Sequence, residues 1–129
     1  MPELNIQNIR KQYNKNIVVK DISLNVKSGE VIGLLGPNGA GKTTSFYMIV
    51  GLVSADHGSI LIDNKNLSKM PIHRRSKMGI SYLPQEPSIF RKLTVGQNIL
   101  SILELRNISE ESRKKKLESL LKELNIEHI

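Results

Sequence analysis

The 129-residue sequence has no cysteine and few aromatic residues, and each shortage excludes a class of function. Without cysteine the chain has no disulfide framework, thiolate metal site or cysteine nucleophile, which is consistent with a reducing cytoplasm. No apolar run approaches the ~18 residues that a membrane-spanning helix needs. The N-terminus also lacks the charged and then apolar pattern of a signal peptide. We therefore expect one cytoplasmic domain that is not exported.

The net charge of +7 indicates an acidic partner, which could be a nucleic acid, an anionic membrane surface or a polyanionic ligand. The basic residues concentrate at residues 73–77 and 113–116, and we interpret both clusters as solvated helix faces. Neither cluster contains the aromatic side chains that single-strand binding proteins use for stacking on bases. A nucleic acid partner is therefore not expected, and a nucleic-acid module is the most distant alternative.

The apolar pattern of the first half predicts strands around one helix. Residues 4–13 alternate between apolar and polar, and residues 17–26 also read as strand. Residues 31–36 form an almost fully apolar run that predicts a central strand covered on both faces. A helix is expected to begin near Gly41, and residues 59–63 predict an edge strand of an antiparallel sheet. The expected apolar face of the helix consists of Phe46, Ile49, Val50 and Val53.

The second half predicts mainly helices. Pro71 is expected to open a short helix, and residues 79–84 predict a strand that Pro84 ends. Thr94 and Gln97 form the T-x-x-Q pattern of a capping box, for a helix to about Arg106. Ser109 can cap a last helix. The spacing of four leucines predicts a core-facing stripe on that helix: Leu117, Leu120, Leu121 and Leu124.

Residues 36–43, GPNGAGKT, match the phosphate-binding pattern G-x-x-x-x-G-K-[ST] in full. Glycines let backbone N–H groups approach phosphate oxygens, and a helix N-terminus favours the same anion. Lys42 would reach the β- and γ-phosphates, and the Thr43 hydroxyl would bind Mg²⁺. The buried strand expected before the loop and the helix after it favour this interpretation over a chance glycine-rich turn. The predicted nucleotide-binding residues of the loop are Gly36, Pro37, Asn38, Gly39, Ala40, Gly41, Lys42, Thr43 and Thr44.

Two further residues narrow the choice among phosphate-loop proteins. Tyr13 ends the first predicted strand, where it could stack on a purine base or could simply be a surface tyrosine. Gln85 follows a predicted strand and could bind Mg²⁺ or orient the attacking water, although a lone glutamine is more often a loop residue. Two strands also precede the loop strand, unlike in many GTPases and kinases of the phosphate-loop class.

Together these residues resemble the N-terminal half of an ABC-transporter ATPase domain. GPNGAGKTT resembles its Walker A motif, Tyr13 its adenine-stacking aromatic residue, and LPQE its Q-loop. The resemblance implies an α/β P-loop NTPase core with an antiparallel β subdomain in residues 1–84, and the start of a helical subdomain in residues 85–129. It implies ATP and Mg²⁺ as cofactors, with Lys42 and Gln85 in catalysis and Thr43 and Gln85 at the metal.

The resemblance also implies partners. Such ATPases pair with a second copy and with transmembrane permease subunits, on the cytoplasmic face of the inner membrane. Ile89, Phe90 and Arg91 match the family's groove for the permease, although Phe90 could instead fill its own helical subdomain. The flanking residues SFYM and EPSIFRKL resemble the members that power lipopolysaccharide export. An ABC ATPase for another cargo, such as branched-chain amino acids, and a non-catalytic nucleotide-binding remnant are the alternatives.

Several family motifs do not occur in the 129 residues. There is no SGG signature, and Asp63 is followed by Asn64 rather than by a catalytic glutamate. None of the three histidines, at positions 57, 73 and 128, has the setting of the family's switch histidine. We therefore expect the chain to be an N-terminal fragment that holds nucleotide weakly and does not hydrolyse it efficiently.

Overall fold

The structure, a computed structural model, describes residues 2–129. The chain divides into two compact units, one that extends to Leu83 and one that comprises Pro84–Ile129. This division falls one residue before the predicted boundary between residues 84 and 85. The assignment of the units to a nucleotide-binding core and a helical subdomain stays a prediction.

A long antiparallel hairpin opens the first unit, as the alternating pattern predicted. Strand β1, Glu3–Tyr13, pairs with β2, Asn16–Lys27, from Glu3 opposite Lys27 to Tyr13 opposite Asn16. The turn begins at Asn14, whose φ of 54° lies in the left-handed region that asparagine tolerates. The register shifts three times, between Ile6 and Ile9, between Ile9 and Lys11, and again after Lys11. Such shifts re-aim side chains at the end of a strand.

The sheet contains two more strands, and their order corrects one prediction. Strand β3, His57–Ile62, pairs antiparallel with β1 on one side and with the short β4, Lys65–Asn66, on the other. The order β2-β1-β3-β4 therefore places β3 inside the sheet. The prediction that residues 59–63 form an edge strand was wrong. A two-residue strand after the turn at Asp63 and Asn64 has no apolar pattern to predict it.

Helix α1, Lys42–Val50, packs on this sheet and completes the core of the first unit. Its buried residues are Ser45, Met48 and Val50. Phe46 is 46% exposed, so its predicted place on the core face was wrong, whereas Ile49 and Val53 pack partly against the core. The buried core cluster consists of Ile6, Ile9, Val19, Met48, Ile60 and Leu67.

Two predicted strands are not formed. Residues 31–36 have no regular secondary structure, and Val31 and Leu35 are 99% and 94% exposed. Residues 79–84 likewise contain no strand. A strand is stable only when a neighbour satisfies its backbone hydrogen bonds. Within residues 2–129 no strand pairs with either segment. The prediction that residues 31–36 form a central strand covered on both faces was wrong.

Short helix α2, Ile72–Lys77, follows Pro71 as predicted. The second unit contains α3, Val95–Glu104, and α4, Glu110–Glu123, which pack on each other. None of the helices formed by residues 2–129 is long and apolar enough to cross a membrane.

The predicted caps of the second unit are confirmed, and its leucine stripe is corrected. Thr94 accepts a hydrogen bond from the Gln97 N–H at 3.1 Å, and the Gln97 side chain accepts from the Thr94 N–H at 2.9 Å. Ser109 accepts from the Ser112 N–H at 3.2 Å. Three stripe leucines are only half-buried, and Leu124 is 61% exposed, because α4 rests on a single helix.

Candidate functional site

The phosphate-loop pattern adopts a backbone that requires its glycines. Gly39 and Gly41 have φ values of 84° and 86°, in the left-handed region. A Cβ at Gly41 would also lie 2.6 Å from the Val18 carbonyl oxygen and 3.0 Å from Val19 Cγ2. Gly41 is therefore needed both for the turn and for the close approach of the loop to β2.

The loop leads directly into the N-terminus of α1. The Ala40 N–H donates to the Pro37 carbonyl at 3.1 Å, which closes a turn inside the loop. The Ser45 N–H and hydroxyl both donate to the Gly41 carbonyl, at 2.9 and 2.7 Å. The first turn of α1, as the structure describes it, carries no acidic side chain. The free N–H groups of a helix start and its dipole attract an anion.

Lys42 brings a positive charge to the same place. Its side chain is half-buried, and its Nζ donates to the Gly36 carbonyl at the other end of the loop. An ammonium folded over a turn of backbone amides forms a compact positive site. Thr43, the second residue of α1, is exposed, so its hydroxyl is open to a ligand.

The protein residues fit Mg²⁺ only together with a phosphate ligand. Among residues 2–129 no group of three or more histidine, aspartate or glutamate side chains could hold a metal ion. Mg²⁺ is commonly bound through one or two protein oxygens, several waters and the phosphates of a substrate. The exposed Thr43 hydroxyl at the start of α1 is a protein oxygen that could bind Mg²⁺ in this way.

Tyr13 lies at the end of β1 with 47% of its surface exposed. The Lys11 Nζ lies 5.2 Å from the centroid of its ring, a cation–π distance. Lys11 also forms an ion pair with Asp56, with 3.3 Å between Nζ and Oδ1. The backbone N–H of Gln12 holds the pKa of the Asp56 carboxyl below its ordinary value, and Lys11 lowers it further. Asp56 therefore stays charged at neutral pH.

The β1–β2 register relates Tyr13 to the phosphate loop. Val19 of β2 contacts the position where a Gly41 side chain would lie, and Val19 is the register partner of Lys11. Tyr13 is two residues from Lys11 on the same strand. The predicted base-stacking residue and the predicted phosphate loop thus share one end of the hairpin.

The other predicted residues belong to the second unit. Gln85 directly follows Pro84 in a bend and is exposed. Ile89 and Phe90 are each 62% exposed, and Arg91 is exposed in the following turn. Exposure of Phe90 does not favour the alternative in which it fills the core of its own unit.

One residue that sequence reasoning missed holds this loop. The Asn98 Oδ1 accepts from the Phe90 N–H at 2.8 Å, and its Nδ2 donates to the Phe90 carbonyl at 3.1 Å. The same Nδ2 donates to the carbonyls of Leu93 and Thr94 at 3.3 and 2.9 Å. The only sequence signal for this contact was the position of Asn98 in the first turn of a capped helix.

Arg75 corrects the interpretation of residues 73–77 as a solvated face. Its side chain is 3% exposed, while its neighbours on α2 are exposed. It donates to the carbonyls of Met48 and Ile49 at 2.6 and 2.9 Å, in the last turn of α1. The sequence carried no signal for this burial, because one arginine in a basic helix has no distinguishing neighbour.

An open depression elsewhere on the first unit carries no features of an anion site. It is lined by Pro2, Glu3, Asn5, Asp63 and Asn64. Its two carboxylates would repel a phosphate, and none of its lining residues belongs to the phosphate loop.

Comparison with known families and proteins finds matches over most or all of the chain. The family described as ABC transporter matches residues 19–129. The lipopolysaccharide export system ATP-binding protein LptB of Haemophilus influenzae is 52% identical over 100% of this chain and 54% of its own length. The LptB of Escherichia coli K12 is 50% identical over the same shares. The chain thus spans about half the length of the curated relatives it matches.

Solved structures match the fold. An ATP-binding cassette of an ABC transporter, MJ1267, superposes with a TM-score of 0.84 at 27% identity, over 99% of this chain and 56% of its own. A dimeric cassette bound to ADP and phosphate, MJ0796, superposes with a TM-score of 0.75 at 26% identity, over 92% and 56%. The predicted α/β fold class with an antiparallel subdomain is confirmed.

Proposed function

Because this chain belongs to the ABC transporter family, we propose that it is the nucleotide-binding part of an ATPase that powers lipopolysaccharide export. The observation that carries the proposal is the phosphate loop. Two left-handed glycines, the start of α1 and the Lys42 ammonium meet there, and the loop rests on β2 through Gly41. This arrangement suits a triphosphate, because its amides and its ammonium provide several donors for one highly charged anion.

In this proposal each residue of the loop has a distinct task. The backbone of residues 36–41 and the first turn of α1 bind the phosphates, and Lys42 exchanges its contact with the Gly36 carbonyl for phosphate oxygens. Thr43, together with the phosphates, would hold Mg²⁺, which would neutralise the charge that develops in phosphoryl transfer. Tyr13 stacks on the adenine base with its exposed ring. As the resemblance implies, the Gln85 side chain would bind Mg²⁺ or orient the attacking water.

The partners follow from the family and from the surface of the second unit. A second copy of the chain would complete the site, as the dimeric relative bound to ADP and phosphate suggests. The exposed side chains of Ile89, Phe90 and Arg91 would contact a transmembrane permease subunit, since an exposed aromatic in a held loop is a typical anchor. The basic surface would then face the anionic cytoplasmic leaflet of the inner membrane.

Lipopolysaccharide is the proposed cargo because both LptB relatives are at least 50% identical over the whole chain. A relative from Azorhizobium caulinodans, a probable ABC transporter ATP-binding protein of unstated cargo, is 51% identical over 94% of the chain. Genetic complementation distinguishes lipopolysaccharide from another cargo. The full-length gene should restore growth to a bacterium depleted of its own LptB. If the gene instead restores growth only to a strain that lacks the ATPase of an amino-acid importer, the alternative of an amino-acid cargo is favoured.

The nucleotide-binding step is tested by Lys42→Ala. We expect the substitution to weaken ATP binding in the presence of Mg²⁺ by at least about tenfold, because it removes a charge-assisted contact to phosphate. Binding is measured by equilibrium dialysis with labelled ATP. Lys20→Ala, on an exposed position of β2, removes the same charge and should leave the affinity unchanged.

Equal affinity in the Lys42→Ala and Lys20→Ala proteins would contradict the proposed site. The same preparations test the expected lack of hydrolysis by residues 1–129, which contain neither an SGG signature nor an Asp–Glu pair. Mg²⁺-dependent phosphate release that Lys42→Ala abolishes would show that these 129 residues suffice for turnover.

A further inference from the structure

The Lys11 side chain on β1 is held by two acceptors that lie outside its own strand. Its Nζ donates to the Ser54 carbonyl at 2.9 Å and to Asp56 Oδ1 at 3.3 Å, and its side chain is only 14% exposed. Both acceptors lie in the loop before β3, more than 40 residues away in sequence. The ammonium is therefore bound by two acceptors, and the side chain is largely withdrawn from solvent.

The same loop also fixes the backbone on either side of Lys11. Asp56 Oδ2 accepts from the Gln12 N–H at 2.7 Å, and the Asp56 N–H donates to the Arg10 carbonyl at 2.8 Å. These bonds lie where the β1–β2 register shifts, so they hold the irregular strand end that carries Tyr13. Asp56 thus contacts both the Lys11 ammonium and the strand backbone directly before Tyr13.

The Lys11 ammonium lies 5.2 Å from the centroid of the Tyr13 ring. A cation over one face of an aromatic ring is attracted by the electron density of that face. The ammonium lies over that face, while 47% of the Tyr13 surface remains exposed. The free ring face is then the one available to a planar ligand.

We propose that Lys11, held by Asp56 and the Ser54 carbonyl, is a positioning residue for the base of the bound nucleotide. It backs one face of Tyr13 so that the opposite face is presented to the base. The proposal rests on the proposed nucleotide-binding function and adds a residue to it. Lys11 does not contact the phosphates in this proposal, so it affects only the part of the affinity that the base provides.

The test compares ATP with inorganic tripolyphosphate, which carries the phosphates without a base. In the full-length protein, Lys11→Met keeps the aliphatic stem and removes the ammonium. We expect it to weaken ATP binding about threefold, the fold-change that an exposed cation–π contact supports, and to leave tripolyphosphate binding unchanged. Lys15→Met, in the exposed turn after Tyr13, removes the same charge and should change neither affinity.

A double substitution makes the effect specific to the ring. In a Tyr13→Leu background, Lys11→Met should cause no further loss of ATP affinity, because the residue that it positions is absent. A further threefold loss in that background would overturn the proposal.

The remaining outcomes are also decisive. Equal losses for ATP and tripolyphosphate would show that Lys11 only supports the strand, and tighter ATP binding by Lys11→Met would show that it occupies the face that the base needs. Unchanged ATP affinity would likewise overturn the role of Lys11, while ATP and tripolyphosphate binding by the unsubstituted protein would leave the proposed function standing. Failure of the unsubstituted protein to bind either ligand would overturn both.

Discussion

Arg75 is a buried charged residue of the first unit. Its guanidinium is 3% exposed and donates four hydrogen bonds, all to main-chain carbonyls. Two acceptors are at the end of α1, and the other two, in Ser68 and Met70, precede α2. The cation also lies at the negative end of the α1 dipole. Burial lowers the pKa of Arg75 from its ordinary value, but the side chain stays charged at neutral pH.

Arg75→Met should destabilise the protein by about 3 kcal/mol. Hydrogen bonds from a charged donor contribute about 1.5–3 kcal/mol each, so four of them would give roughly 6–12 kcal/mol if they were additive. Burying the guanidinium costs several kcal/mol, which the substitution recovers. The remainder is the cost of main-chain acceptors left without a donor.

The free energy of unfolding is measured by urea titration followed by circular dichroism. Arg74→Met is the matched control, because Arg74 is the exposed neighbour on the same helix and carries the same charge. We expect the control to change the free energy by less than about 0.5 kcal/mol. If both variants unfold at the same urea concentration, then the four bonds of Arg75 contribute no net stability and the reasoning is refuted.

Two further predictions concern single positions. Gly41→Ala should destabilise the protein by about 3 kcal/mol and weaken ATP binding, because its φ is 86° and its Cβ would lie 2.6 Å from the Val18 carbonyl oxygen. The loss of stability is measured by thermal unfolding. Gly33→Ala is the control, because a Cβ at Gly33 meets no atom within 4 Å. Equal melting temperatures of the two variants would contradict the prediction. Asn98→Ala should speed hydrogen exchange at the Phe90 amide about tenfold, because that N–H loses its 2.8 Å bond. Asn107→Ala, at an exposed position, should not, and equal exchange in both variants would show that Asn98 does not hold the loop.

Elements with local causes were predictable from the sequence. The T-x-x-Q pattern at Thr94 needs only four consecutive residues, and it forms the expected capping box. The glycines of the phosphate loop are likewise specified by the backbone conformation of a short turn, and both Gly39 and Gly41 are left-handed. The alternation over residues 4–13 identified a strand for the same reason, although the register shift between Ile6 and Ile9 interrupts the alternation of buried residues.

Elements that depend on a distant partner were not predictable in the same way. An apolar run at residues 31–36 shows that the segment suits burial, but a strand forms only where another strand supplies its hydrogen bonds. The place of β3 inside the sheet depended on the two-residue β4, whose sequence carries no strand pattern.

The amino-acid sequence by itself determined the phosphate loop and the helix caps, because each lies in residues close together in the chain, and it indicated the family through several such short motifs. Tertiary structure alone decided which charged side chains are held. Arg75 and Arg74 are adjacent and chemically identical, yet only Arg75 reaches the carbonyls at the end of α1. Lys11 resembles any surface lysine until the loop before β3 brings Ser54 and Asp56 to it. Such contacts join residues more than 20 positions apart, so only the folded chain creates them.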